Sequence, residues 1–154
     1  MKTKCYLVAT PIGNLKDITL RALETLKFVD VIACEDTRHT LRLLNHYQIK
    51  KTLISYHEHN EKEGATQIIE LIKNGKNVAV VSDAGMPCIS DPGALLVQSL
   101  RQEEIPLTII PGASALSSAI SLSGLKGAFT FLGFLKGKRK QIDDELLQYK
   151  NINT

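Results

Sequence analysis

Short apolar runs alternate along the chain with stretches of helical periodicity. KCYLVA (4–9) reads as a strand, followed by the loop TPIGN and a helix through ITLRALETL that Asp17 is placed to cap. VDVIAC (29–34) is a second strand, then EDTRHT and a helix through LRLLNHY. TLIS (52–55) is a third, then YHEHN and a helix through TQIIELIKN, which Gly75 stops. NVAVVS (77–82) is a fourth, then the long loop DAGMPCISDPG and the helix ALLVQSLRQ. LTII (107–110) is a fifth, then PGAS and the small-residue helix ALSSAISLS. Five strand–loop–helix units in succession predict an α/β fold: a five-stranded, mainly parallel sheet with helices on both faces. Runs such as NVAVV and LTII suit strands buried on both sides. Beyond Gly124 the pattern changes. FTFLGFL (129–135) reads as a strand leading into a basic loop and a last helix near 139–149.

Composition narrows the class without choosing a function. The 154 residues are 44% hydrophobic and 23% charged, ordinary for a globular protein. A chain of this length buries roughly two-thirds of its unfolded surface, so folding needs neither disulfide nor metal. No apolar run reaches the roughly 18 residues of a membrane span. MKTKCYLVATPIGN shows strand alternation and a turn where a signal peptide has an apolar core and cleavage site. The three cysteines form no Cys-x-x-Cys pair, and Cys5 and Cys34 fall in strand runs as small hydrophobes. A soluble protein of the reducing cytoplasm is expected.

The net charge of +3 is uneven. Residues 126–154 hold six basic side chains against three acidic ones, which leaves thirteen of each in residues 1–125. The cluster KGKRK, with Lys136, Lys138, Arg139 and Lys140, is either a solvated loop or a meeting point for nucleic-acid phosphates.

Each unusual segment follows the C-terminal end of a predicted strand: TPIGN, EDTRH, HEHN, DAGMPCISDPG and PGAS. That rim is where open parallel sheets bind ligands. Any one of these loops is explained as an ordinary turn; five on one rim suggest a small-molecule site. The site is not a triphosphate cradle, since G-x-x-x-x-G-K-[ST] is absent, nor the usual dinucleotide fingerprint, since no G-x-G-x-x-G follows the first strand. Gly13 lets a ligand approach the backbone, Asp83 and Asp91 can accept from a ribose or amine or hold a cation, and Ser114 stands where a helix start offers free N–H groups. A nucleoside joined to an amino-acid carboxylate fits these parts. A metal-dependent phosphate-handling enzyme using Asp83 and Asp91 is the competing reading.

Six runs carry a family resemblance: YLVATPIGNLKDITLRALETL, CEDTRHTLRLLNH, SYHEHNE, VVSDAGMPCISDPG, IPGASAL and FTFLGFL. In order and spacing the sequence resembles the tetrapyrrole-methylase superfamily of S-adenosylmethionine-dependent methyltransferases. More narrowly, it looks like the branch that methylates the ribose 2′-O of a cytidine in 16S ribosomal RNA of the small subunit. The resemblance implies S-adenosyl-L-methionine as cofactor, held by Pro11, Ile12, Asp83, Ala84, Gly85, Met86, Ser114 and Ala115. Met86 and Cys88 stand where the family commonly has Thr and Gly, and Cys88 matters if that position needs positive φ. The resemblance also implies an N-terminal cofactor-binding domain over residues 1–124 and, over 125–154, the beginning of a second, incomplete α/β domain. Ribosomal RNA is the implied partner, with no membrane; a homodimer is left open, as is a non-catalytic RNA-binding fragment.

The remaining polar residues divide less cleanly. By resemblance Glu35, Asp36 and Arg38 face substrate, with Arg38 toward an RNA phosphate; alternatively Asp36 or Thr37 simply caps the next helix. His57, Glu58 and His59 lack an evident further ligand, so no metal site is expected. A ribose hydroxyl is a poor nucleophile at neutral pH, and Glu35, Asp36 and His57 are the candidate bases; nothing in the sequence selects among them.

Overall fold

The computed structural model describes residues 4–150; Met1–Thr3 and NINT (151–154), the last part of the expected second domain, lie outside the described residues. The chain divides into two compact units, 1–115 and 116–154. In the first, β1 (Cys5–Val8), β2 (Val31–Cys34), β3 (Thr52–Ser55), β4 (Val78–Val81) and β5 (Leu107–Ile110) form one sheet in the order β3-β2-β4-β1-β5. Every pairing is parallel, with Cys5 in register with Val78 on one side and Leu107 on the other.

The strand order follows from how the chain travels. From β1 it moves through β2 to the β3 edge, then returns through β4 to β5 at the opposite edge. Right-handed crossovers therefore place α1 (Leu20–Phe28) and α2 (Thr37–His46) on one face, and α3 (Glu61–Lys73) and α4 (Ala94–Gln102) on the other. The two cores agree. Val8, Ile32, Cys34, Ala79 and Val81 pack with Ala22, Leu26 and Leu44. The alternate strand residues Cys5, Leu7, Val31, Ala33, Val78 and Val80 pack with Ile68, Ile72, Leu96 and Leu100. The two-residue period of a strand does this sorting. Burying a leucine such as Leu96 or Leu100 contributes about 2 kcal/mol each.

Helix ends show which local signals were used. Gly75 adopts φ +84° after α3, and the N–H groups of Gly75 and Lys76 each donate to carbonyls of the last turn at 3.0 Å. Asp17, in contrast, does not cap α1. Asn14 accepts from Lys16 N–H at 3.0 Å and folds Leu15–Asp17 into a separate 3-10 turn. Ile18 and Thr19 are then extended, so α1 begins at Leu20 and the Thr19 hydroxyl accepts from Ala22 N–H at 3.1 Å.

The second unit contains most of α5 (Ala115–Ser123) and all of α6 (Arg139–Tyr149). FTFLGFL is not a strand. No β-strand forms over 129–135, and Phe129, Phe131 and Phe134 are exposed. Among the described residues no helix is long and apolar enough to cross a membrane.

Candidate functional site at the C-terminal rim

β4 lies between β2 and β1, whose following helices cover the opposite face from α4. The loops after β1 and β2 leave one way and the loop after β4 leaves the other, which opens a crevice above their C-terminal ends. Two loops are tied together across it. Thr10 N–H donates to the Gly85 carbonyl at 2.9 Å and Gly85 N–H returns to the Thr10 carbonyl at 3.1 Å. The Thr10 hydroxyl donates to the Ser82 carbonyl at 3.1 Å, and Ala9 N–H reaches Ile110 at 3.1 Å.

Gly85 is where three loops converge. Its φ is +83°, and a Cβ there would stand 3.3 Å from Ile12 Cγ2 and 3.7 Å from the Ala113 carbonyl oxygen. The backbone can follow this path only with glycine at low cost. Ser114 and Ala115 follow Ala113 directly, Ala115 opening α5; Ala84 and the half-buried Met86 flank Gly85. The residues expected at the methyl donor are thus gathered from the loops after β1, β4 and β5. At Gly85 the lack of a side chain leaves the backbone open beside Ile12 and Ala113, which suits the close approach of such a group.

Asp83 and the loop after β2 are coupled. Asp83 Oδ1 accepts from Asp36 N–H at 3.1 Å. Asp36 caps α2 by accepting from Arg38 N–H at 2.8 Å, and its two oxygens hold the Arg38 guanidinium at 3.1 and 2.8 Å. The helix-cap reading of Asp36 therefore holds. Hydrogen bonds from Arg38 keep the Asp36 carboxyl well below the usual carboxylate range. Glu35 differs. Burial raises its carboxyl, the negative charges of Asp83 and Asp91 add to the rise, and His57 partly opposes them. Burial likewise raises Asp91, against a hydrogen bond from Ser82 and with Asp83 adding to the rise.

A cleft of about 110 Å³ opens on the α2 side of this crevice. Thr10, Pro11, Ser82 and Asp83 form its strand-end wall, and His39, Thr40 and Leu43 of α2 face them. Thr10, Ser82, Thr40 and Leu43 escape sequence reasoning, although the i, i+3 and i, i+4 spacings of His39, Thr40 and Leu43 place them on one helix face.

The 83–93 loop carries two non-glycine residues in the left-handed region, Cys88 at φ +68° and Ser90 at φ +59°. Cys88, where the resemblance implies a glycine, thus occupies a position of positive φ. Burial pushes the Cys88 thiol up to about 11, which leaves it a packing group rather than a nucleophile. A Cβ on Gly93 would collide with Cys88 Sγ, and Gly93 N–H donates to Glu61 Oε1 at 2.9 Å. Glu61, which the sequence did not single out, anchors the end of this loop from 32 residues away.

Lys136, Lys138, Arg139 and Lys140 all lie in the second unit and are exposed, Arg139 standing 4.0 Å from Asp143. Among the described residues no three His, Cys, Asp or Glu side chains gather as a metal site.

Fold and rim define an open parallel α/β protein whose loops gather above the C-terminal ends of its strands. The chain belongs to the tetrapyrrole (corrin/porphyrin) methylases, whose family model matches residues 4–148. It is 57% identical over 143 residues to ribosomal RNA small subunit methyltransferase I of Mycoplasmopsis pulmonis, covering 93% of this chain and 64% of that protein. It is 55% identical over 140 residues to the protein of the same name from Thermotoga maritima, covering 90% and 63%. The chain thus spans less than two-thirds of the length of these relatives. Among solved structures, uroporphyrin-III-C-methyltransferase from Thermus thermophilus matches with TM-score 0.61 and 26% identity, over 80% of this chain and 52% of that one. Diphthine synthase shares the fold at TM-score 0.65 and 19% identity, over 80% and 50%.

Proposed function

We propose that this chain is the cofactor-binding part of an S-adenosylmethionine-dependent methyltransferase acting on the ribose 2′-O of a cytidine in 16S ribosomal RNA. The observation that carries the reading is the convergence of the loops after β1, β4 and β5 on Gly85, beside Asp83. The names of its relatives point to small-subunit ribosomal RNA as the substrate.

Pro11, Ile12, Asp83, Ala84, Gly85, Met86, Ser114 and Ala115 would hold the cofactor. When bound, S-adenosylmethionine supplies a sulfonium methyl group that the ribose oxygen takes as the carbon–sulfur bond breaks. The protein's part is to position the acceptor and remove its proton. Glu35 and His57 are the candidate groups for the proton, since Asp36 is committed to Arg38. The exposed cations Lys136 to Lys140 meet RNA phosphates, which position an enzyme without reading sequence. Arg139 and Lys140 sit in the first turn of α6, where the helix dipole disfavours positive charge, so helix stability does not account for them. In the same reading residues 125–154 belong to a second domain.

Incubating small-subunit particles with the chain and labelled methyl donor tests this. Label at a cytidine 2′-O is the expected result; RNA binding without transfer points to a non-catalytic fragment, and a magnesium requirement with indifference to the donor points to phosphate chemistry.

A further inference from the structure

Resting on that reading, we propose that the cleft between the loop after β1 and α2 receives a single unstacked nucleobase of the RNA substrate. The cleft shares Pro11 and Asp83 with the cofactor rim, but Ile12, Gly85, Met86 and Ser114 do not line it. Its about 110 Å³ is well below the roughly 300 Å³ at which pockets begin to enclose whole small-molecule ligands. It has room for one ring system, not for a nucleoside carrying an amino acid.

The lining matches the two chemistries of a base. Pro11, Leu15 and Leu43 offer apolar surface to its faces, while Asn14, His39 and Asp83 offer donors and acceptors to its edge. Both sets come from elements already tied down: Asp36 N–H holds Asp83, and the Tyr47 hydroxyl donates to the Leu15 carbonyl. Proteins that read RNA take such bases from loops and bulges, where leaving the stack costs least. A base seated here brings its own ribose to the wall formed by Pro11 and Asp83, the wall shared with the cofactor rim. The cleft thereby selects which ribose is presented.

The test uses the full chain, isothermal titration with S-adenosylmethionine, and anisotropy with two RNA hairpins. One hairpin carries a single unpaired cytidine in its loop; the other has an abasic site at that position. Leu15 is exposed, so Leu15→Trp fills the cleft without disturbing the core, and His39→Ala removes an edge partner from the surface. The parent should prefer the cytidine hairpin by about tenfold. Leu15→Trp should abolish that preference and His39→Ala should reduce it, both with unchanged affinity for S-adenosylmethionine. A loss of cofactor affinity in Leu15→Trp would give the cleft to the cofactor and overturn the proposal, as would a preference that survives in both variants. Failure of the underlying reading looks different: the parent itself then binds neither the cofactor nor either hairpin.

Discussion

The backbone N–H of Asp36 donates to the carboxylate of Asp83 at 3.1 Å, joining the loop after β2 to the loop after β4 across the sheet's C-terminal rim. In the proposed reading Asp83 has two tasks, to hold its neighbour's backbone and to present charge to a ligand, and substitution separates them. Asp83→Ala removes both, and should weaken S-adenosylmethionine binding by about ten- to a hundredfold, the range of a lost charge-assisted hydrogen bond. Asp83→Asn keeps an oxygen for Asp36 N–H. If charge is the ligand-facing property, calorimetry finds Asn as weak as Ala; equal binding by Ala and parent would remove Asp83 from the site.

Glu35 makes stability depend on pH. Its carboxyl is raised in the folded protein above the ordinary value of 4.5, so the folded state binds a proton more tightly than the unfolded state does. That contribution is fully present below pH 4.5 and is lost as pH rises through the raised value. Glu35→Gln should therefore gain stability relative to the parent as pH goes from 4 to 7, measured by urea unfolding. If Glu35 rather than His57 takes the proton, the same variant loses methyl transfer while retaining cofactor affinity, and His57→Gln keeps the transfer. A stability difference constant across pH would contradict the burial argument.

Cys88 and Gly93 are sterically coupled, which a double-mutant cycle can read. Gly93→Ala places a methyl group against Cys88 Sγ and should cost on the order of 2 kcal/mol or more, from overpacking together with a positive φ. In a Cys88→Gly background the collision disappears and only the backbone cost remains. Thermal melts of the four proteins should show a clear departure from additivity; simple addition would mean the loop relaxes around both side chains.

The cap of α1 gives a direct check on the fold. Thr19→Ala should cost about 1 kcal/mol, whereas Asp17→Ala should change stability by only a few tenths. Reversal of that order in urea unfolding would return the cap to Asp17.

Neutralising Lys136, Lys138, Arg139 and Lys140 together should weaken RNA binding and flatten its dependence on salt by up to about four phosphate contacts' worth of slope. Cofactor affinity should not change. A solvated basic segment predicts instead the parent's RNA affinity at every salt concentration.

Much of this architecture is written locally. Short apolar runs define each strand of the first unit, the stop at Gly75 is a chemical signal within a few residues, and a succession of strand–loop–helix units requires parallel pairing. The rim loops were legible for the same reason, because Gly, Pro and Asp cluster where strands end. What the tertiary structure alone decided involves partners far apart in the chain. Periodicity says that β4 is buried but not that it lies between β2 and β1, and that insertion is what opens the crevice. Thr19 rather than Asp17 caps α1 because an Asn14 turn intervenes. FTFLGFL reads as a strand in the sequence and forms none in the structure. Glu61 reaches Gly93, and His39 and Leu43 face Pro11 and Asp83, only after α3 and α2 have packed on opposite faces of the sheet. Side-chain periodicity determines which face of an element is buried; which elements become neighbours depends on the path of the whole chain, and the site was assembled there.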